Sequence, residues 1–214
     1  MLIEISLLRL LTYGAYSFLL FPLITGSIRK AYAHPHLKLI YLLICLFVFD
    51  ESILVYYGSH HWNNLLFIRI GTFLEFFILS LFYYKVTIIR WTKAFIIAGF
   101  LIYSIIAILD YFVNSALKIN NYALSTEALL MIIYTVTLSY QLMITEEGRM
   151  VDNPLFYINS AFLFYYSGNL FFFLFSSFMY DFANKAIKNA NIVLEVINMI
   201  YYIPISIGFW KLKK

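Results

Sequence analysis

The sequence predicts an all-α membrane protein: a bundle of seven transmembrane helices with its N-terminus outside and its C-terminus in the cytoplasm. Three observations lead there. The 214 residues are 63% hydrophobic and only 12% charged, where soluble domains hold about 25% charged residues, and the mean hydropathy is +0.84. The apolar residues fall into seven runs, each close to the ~20 residues a helix needs to cross the hydrocarbon core. Nearly all lysines and arginines sit in the breaks between runs, and they are divided unequally between the two sides.

The first run, Ile5–Thr25, reads as a helix and not as a signal peptide. It is too long, Glu4 precedes any base, and a small-residue cleavage site is missing. GSIRKAYAHPH separates it from Leu37–Tyr57, and GSHHWNN separates that run from Asn64–Tyr84. KVTIIRWTK leads to Ala94–Val113, NSALKINN to Tyr122–Ile144, TEEGRMVDNP to Leu155–Tyr180, and DFANKAIKNA to Asn191–Trp210. Breaks this short join antiparallel neighbours in an up-and-down bundle. A membrane β-barrel would instead alternate apolar and polar residues over about 10 positions per strand. With 22 Phe, 19 Tyr, 8 Gly and 4 Pro, no stretch reads as a linker or a second soluble domain, so residues 1–214 form one integral membrane domain. The lone Cys45 has no internal disulfide partner and packs in an apolar run.

The direction follows from the bases. Arg29, Lys30, Lys38, Lys85, Arg90, Lys93, Arg149, Lys211, Lys213 and Lys214 make ten on one side; Lys118, Lys185 and Lys188 make three on the other. The richer side is cytoplasmic. The net charge of +4 is therefore a topology signal. No nucleic-acid motif accompanies it, and the first partner is the lipid bilayer.

Ionisable residues inside the runs gather toward the outer side: Arg9, Asp50, Glu51, Arg69, Glu75, Asp110, Glu127 and Glu195. Their spacing says which way they point. Asn191, Glu195, Asn198 and Tyr202 step by four, three and four; Glu127, Tyr134 and Gln141 step by seven; so do Asn159 and Tyr166, with Asn169 beyond, and Tyr103 and Asp110, with Asn114 beyond; Thr72 and Glu75 share a face. A charge at the centre of a lipid-facing helix costs about 2.5–3.5 kcal/mol on insertion scales. These stripes should therefore face the bundle interior and wall an outward-opening polar cavity. Its expected ligand-binding residues are Arg69, Glu75 and Glu195 at the core, Asp110 and Glu127 at the rim, and Asn198 beside them. The six carboxylates in or near the spans outnumber Arg9 and Arg69, so some are protonated, hydrated at the interface, or matched by a bound cation. An ion pair of Arg69 with Glu75 or Glu195 that only fixes packing, and Asn159 as interhelical glue, are the structural alternatives.

Several chemistries lack their residues. No lysine for a retinal Schiff base lies in Asn191–Trp210, and all four histidines (His34, His36, His60, His61) precede residue 62, far from the late cluster of seven-helix zinc hydrolases. The His34-Pro35-His36 segment reads as an interfacial turn; a zinc site joining His60 or His61 to Asp50 or Glu51 is an alternative. No Walker loop, GxSxG, HExxH, CxxC or GxxxG occurs, and no cofactor is implied.

In VDNPLFYINSAFLFYYSGNLFFFLFSS, the residues Asn153, Pro154, Phe156, Tyr157, Leu163, Tyr165 and Gly168 form a pattern that resembles a helix of small multi-span inner-membrane proteins of Bacteroidetes associated with sensor histidine kinases. The resemblance covers one helix of seven. It implies a bacterial inner membrane and a role in signalling, with a cytoplasmic or membrane partner such as a histidine kinase. The functional expectation is thus a receptor-like sensor binding a small ligand or cation in the outer cavity. A proton- or cation-coupled transporter is the alternative, and an intramembrane enzyme acting on lipid comes third, because no nucleophile or metal set is visible.

Overall fold

The structure, a computed structural model, describes residues 2–60, 62–114, 121–145, 149–182 and 184–212, and their side chains except those of 2–9, 113–114, 175–182 and 184–191. It consists of seven helices: α1 (Leu2–Ile28), α2 (Lys38–Ser59), α3 (Leu65–Val86), α4 (Arg90–Asn114), α5 (Asn121–Thr145), α6 (Pro154–Phe182) and α7 (Asn184–Trp210). Single 3-10 turns lie at Ala31–Ala33 and Met150–Asp152. Each helix packs against the next and α7 returns to α1, which closes the ring.

Helix number follows the apolar runs, but helix ends do not. DFANKAIKNA reads as a break, yet α6 continues to Phe182 and α7 begins at Asn184. The stretch has no Gly or Pro and is rich in Ala, Lys and Asn, so its polarity marks where a helix leaves the apolar layer, not where it stops. True starts are marked by asparagine. Asn63 Oδ1 accepts the Leu65 N–H at 2.9 Å and Asn153 Oδ1 accepts the Leu155 N–H at 2.8 Å. In α6 the cap is followed by Pro154 in the first helical position, where its missing N–H costs nothing. Pro22 and Pro204 lie inside α1 and α7 without ending them.

The bundle has an apolar core with its polar stripes turned inward, and its outer surface is apolar. Glu127, Tyr134 and Gln141 are all buried on one face of α5, as are Tyr103 and Asp110 on α4 and Asn159, Tyr166 and Asn169 on α6. The outer surface carries Ile88, Trp91, Phe112 and many other large apolar side chains, which water would not tolerate and lipid does. Arg9, His61, Asn114, Lys118, Lys185, Lys188, Asn191, Lys213 and Lys214, which entered the sequence argument, lie outside the described side chains. Among the described residues six helices are long and apolar enough to cross a membrane: α1, α2, α3, α4, α5 and α7. The side chains of α6 are described only from Pro154 to Leu174, and among these Asn159, Tyr166 and Asn169 are turned inward.

Polar groups within the ring find partners on other helices. Asn159 accepts a hydrogen bond from the Tyr83 hydroxyl at 2.9 Å and donates to Thr135 O at 2.9 Å and Ser139 Oγ at 2.8 Å, tying α6 to α3 and α5. Gln141 of α5 donates to Val86 O at 3.2 Å and accepts the Ile88 N–H at 2.9 Å, satisfying backbone groups where α3 ends and α4 has not begun. Interhelical hydrogen bonds in membrane proteins average about 0.6 kcal/mol each. Asn159→Leu should therefore cost about 2 kcal/mol, measured by denaturation in mixed micelles; a loss under ~0.5 kcal/mol would show that the network is dispensable.

Candidate functional site

A polar pocket opens between α2, α3, α6 and α7. It encloses about 700 Å3, counted to its open mouth, and is lined by Asp50 and Glu51, by Thr72 and Glu75, and by Tyr165, Asn198, Tyr201 and Tyr202. Leu54 and Phe67, near the end of α2 and the start of α3, are also in the wall. The pocket thus runs inward from the end of the bundle where α3, α5 and α7 begin. Among the described residues no lysine or arginine lines it.

Helical geometry sets each group. Asp50 and Glu51 are consecutive, so they diverge by about 100° around α2. Asp50 leans on α3 at Gly71, where a Cβ would meet its Oδ2 at 2.6 Å; only glycine leaves room for this carboxylate. Glu51 turns the other way and accepts a hydrogen bond from Tyr16 of α1. Thr72 returns its hydroxyl to Ile68 O at 2.8 Å, within α3. Glu75, one turn further, has its Oε1 2.7 Å from the Tyr166 hydroxyl of α6. The same hydroxyl lies 3.3 Å from Glu127 Oε1 of α5. Tyr165 and Tyr201 pack with ring centroids 4.7 Å apart and planes tilted by 37°, giving the pocket an aromatic wall.

The predicted site residues separate into groups. Glu75 and Asn198 line the pocket. Glu127 stands behind Glu75, reached through Tyr166. Glu195 is beside the pocket in the α1–α7 seam, where Thr12 donates to its Oε1 at 2.9 Å. Asp110 is fully inside and its Oδ2 faces the Ala123 N–H at 3.3 Å; it caps α5 from a neighbouring helix, a position that the helix dipole favours for an anion. Arg69 is on a different face of α3. Its guanidinium carbon is 5.8 Å from the Tyr111 ring, and it lines an apolar groove of about 890 Å3 between α3 and α4 with Ile70, Phe73, Tyr103, Ile108 and Phe112. The pocket therefore joins Glu75 to Asp50 and Glu51, whose membership the sequence left open. It also recruits Tyr165 and Tyr201, which sequence reasoning missed. The missed signal is depth: Asp50 is nine residues from the end of α2 at Ser59, too deep for simple hydration at the surface.

The histidine motifs are elsewhere. His34 and His36 lie in the α1–α2 connection with ring centroids 6.1 Å apart, and partial burial, then the neighbouring His36, lowers the His34 pKa. His60 packs against Tyr56 and Trp62 at 4.5 and 5.0 Å, with its Nδ1 2.9 Å from Tyr56 O. Among the described residues no three His, Cys, Asp or Glu converge in a way that would hold a metal ion. Comparison of the chain with protein-family models, curated proteins and solved structures finds no match in any of the three.

The contact of Asp50 with Gly71 yields a specific expectation. Gly71→Ala must push the Asp50 carboxylate aside, so it should destabilise the parent by about 1 kcal/mol and leave Asp50→Ala almost unaffected. A double-mutant cycle by thermal melting that returns additive losses would show that the two residues do not meet.

Proposed function

We propose that this chain is a receptor-like membrane sensor and that its pocket takes a small organic cation such as an amine. One observation carries the reading: three carboxylates, Asp50, Glu51 and Glu75, line a pocket that no basic side chain enters among the described residues, and Tyr165, Tyr201 and Tyr202 stand in its wall. A cation there is drawn by the acids and by the ring faces of Tyr165, Tyr201 and Tyr202. Asp50 is the acid best placed to meet it. Glu51 and Glu75 already face phenols, whereas Asp50 lies against Gly71 with no such donor among the described residues. Spread carboxylates with aromatic walls suit an ammonium group better than the compact oxygen shell of a divalent metal.

In this reading the pocket faces outside and the C-terminus lies in the cytoplasm, supported by the ten-to-three bias of basic residues. A ligand joining α2, α3, α6 and α7 would shift their packing, and the basic connections and KLKK end would present that shift to a cytoplasmic or membrane partner. A histidine kinase remains the partner class implied by the one-helix resemblance. Transport is less well supported. Beyond Glu75 the interior is filled by Phe76, Phe82 and Phe162, all fully buried, and the polar groups further on, Asn159 and Gln141, are committed to bonds within the protein.

Small amines should raise the melting temperature of the detergent-solubilised protein. The stabilisation expected is about 2.7 kcal/mol at a hundredfold excess over Kd. Asp50→Asn and Glu51→Gln should each blunt it. Melting curves that ignore every amine, or variants that respond like the parent, would remove the cation. Separately, a C-terminal fluorescent-protein fusion should fluoresce and a C-terminal alkaline phosphatase fusion should be inactive; the reverse pair would invert the bundle.

A further inference from the structure

We propose that Glu127 is a permanently protonated glutamic acid, one end of a three-residue proton-holding site Glu127–Tyr166–Glu75 that leaves Glu75 as its single charged member. The proposal stands whether or not the pocket takes a cation.

The Tyr166 hydroxyl has one hydrogen and two carboxyl neighbours, Glu75 Oε1 at 2.7 Å and Glu127 Oε1 at 3.3 Å. A phenol donates once, and the shorter contact takes that hydrogen. Were Glu127 ionised, its oxygen and the phenol oxygen would then face each other as two acceptors. Its other oxygen, Oε2, is buried and has no hydrogen-bond partner, and the residue is 2% exposed. A carboxylate there would have neither water nor a donor to carry its charge. One added hydrogen on Glu127 Oε1 resolves both conflicts. The contact becomes an O–H···O bond from Glu127 to Tyr166, Tyr166 passes its own hydrogen toward Glu75, and the negative charge rests at the pocket wall.

The surroundings agree. The groups acting on Glu75 are Tyr166 and Asp50, and those acting on Glu127 are Glu75 and Tyr166. Tyr103 and Asp110 of α4, Tyr165 of α6 and Tyr201 of α7 complete the neighbourhood. All are acids or phenols. The base on α3, Arg69, lines the α3–α4 groove. Two carboxyls held against one oxygen, with no base beside them among the described residues, are the situation in which a pair keeps a proton.

The test uses the full chain in lipid nanodiscs at neutral pH. Infrared difference spectra of parent against Glu127→Gln should show the carbonyl stretch of a protonated carboxylic acid in the parent alone. An amide N–H can stand in for the acid O–H toward Tyr166, so the melting temperature of Glu127→Gln should match the parent, while Glu127→Leu should melt lower. Tyr166→Phe removes the bridge but leaves the acid in place, so its acid band should move and not vanish. Identical spectra for parent and Glu127→Gln would overturn the proposal. So would a band that disappears with Glu75→Gln instead, because the proton would then sit at the pocket. If Glu127→Gln fails to fold, the Tyr166→Phe spectrum decides: an acid band that moves supports the site, and no acid band overturns it.

Discussion

The two hydrogen bonds that cross the ring between α3 and α6 hold the arrangement together. Tyr166 of α6 donates to Glu75 of α3, and Tyr83 of α3 donates to Asn159 of α6. The two helices are not successive in the ring, so these bonds act across its interior. Within lipid a polar side chain has no water to turn to, and its partner must come from another helix. The bonds run in opposite directions because the helices do: Glu75 and Tyr83 are eight residues apart going one way, Tyr166 and Asn159 seven residues apart going the other. Both spans rise about 11–12 Å along a helix. A slip of one helix along the other would lose both bonds together, so the pair fixes their relative register, and with it the height at which Glu75 meets the pocket.

Much of this was legible in the sequence, and the reason is periodicity. A buried polar residue must point inward, so steps of seven on α4, α5 and α6 name an inner face without any knowledge of neighbours. Glu127, Tyr134 and Gln141 are all buried, as that rule requires. What periodicity does not supply is which helix stands opposite. Tyr166 as the partner of Glu75 is a fact of packing between residues 91 apart in sequence. Grouping Arg69 with Glu75 overlooked something the spacing did contain. Six residues on a helix turn through about 600°, which leaves the two about 120° apart around α3. They line different pockets.

Counting acids against bases treated the membrane interior as one pool of charge. The structure disposes of each acid locally. Asp110 sits on the first turn of α5, Glu195 takes a hydroxyl from Thr12, and Glu51 takes one from Tyr16. Phenols, a threonine hydroxyl and a helix start thus share in holding these acids. A phenol is the suitable donor here: it carries one hydrogen and no charge, and its ring packs among the apolar side chains around it. This gives the 19 tyrosines a use beyond anchoring at the membrane surface. It also separates the acids by exposure to a ligand, since Asp50, held against the backbone of Gly71, faces the pocket without such a donor in the way.

The same division is visible on α6. Asn159, Tyr166 and Asn169 lie on one buried face, and two of them make the bonds that tie α6 to α3 and α5. Alone in lipid this face would lie open at a cost of a few kcal/mol, since each unpaired polar group in hydrocarbon is expensive. Next to α5 and α7, against which it packs most extensively, the face is covered, and Asn159 and Tyr166 are paired. The polar residues of α6 are therefore the ones that define its place in the bundle. Because Tyr166 holds Glu75 from behind and its neighbour Tyr165 lines the pocket, the helix fixed in this way also sets part of the pocket wall.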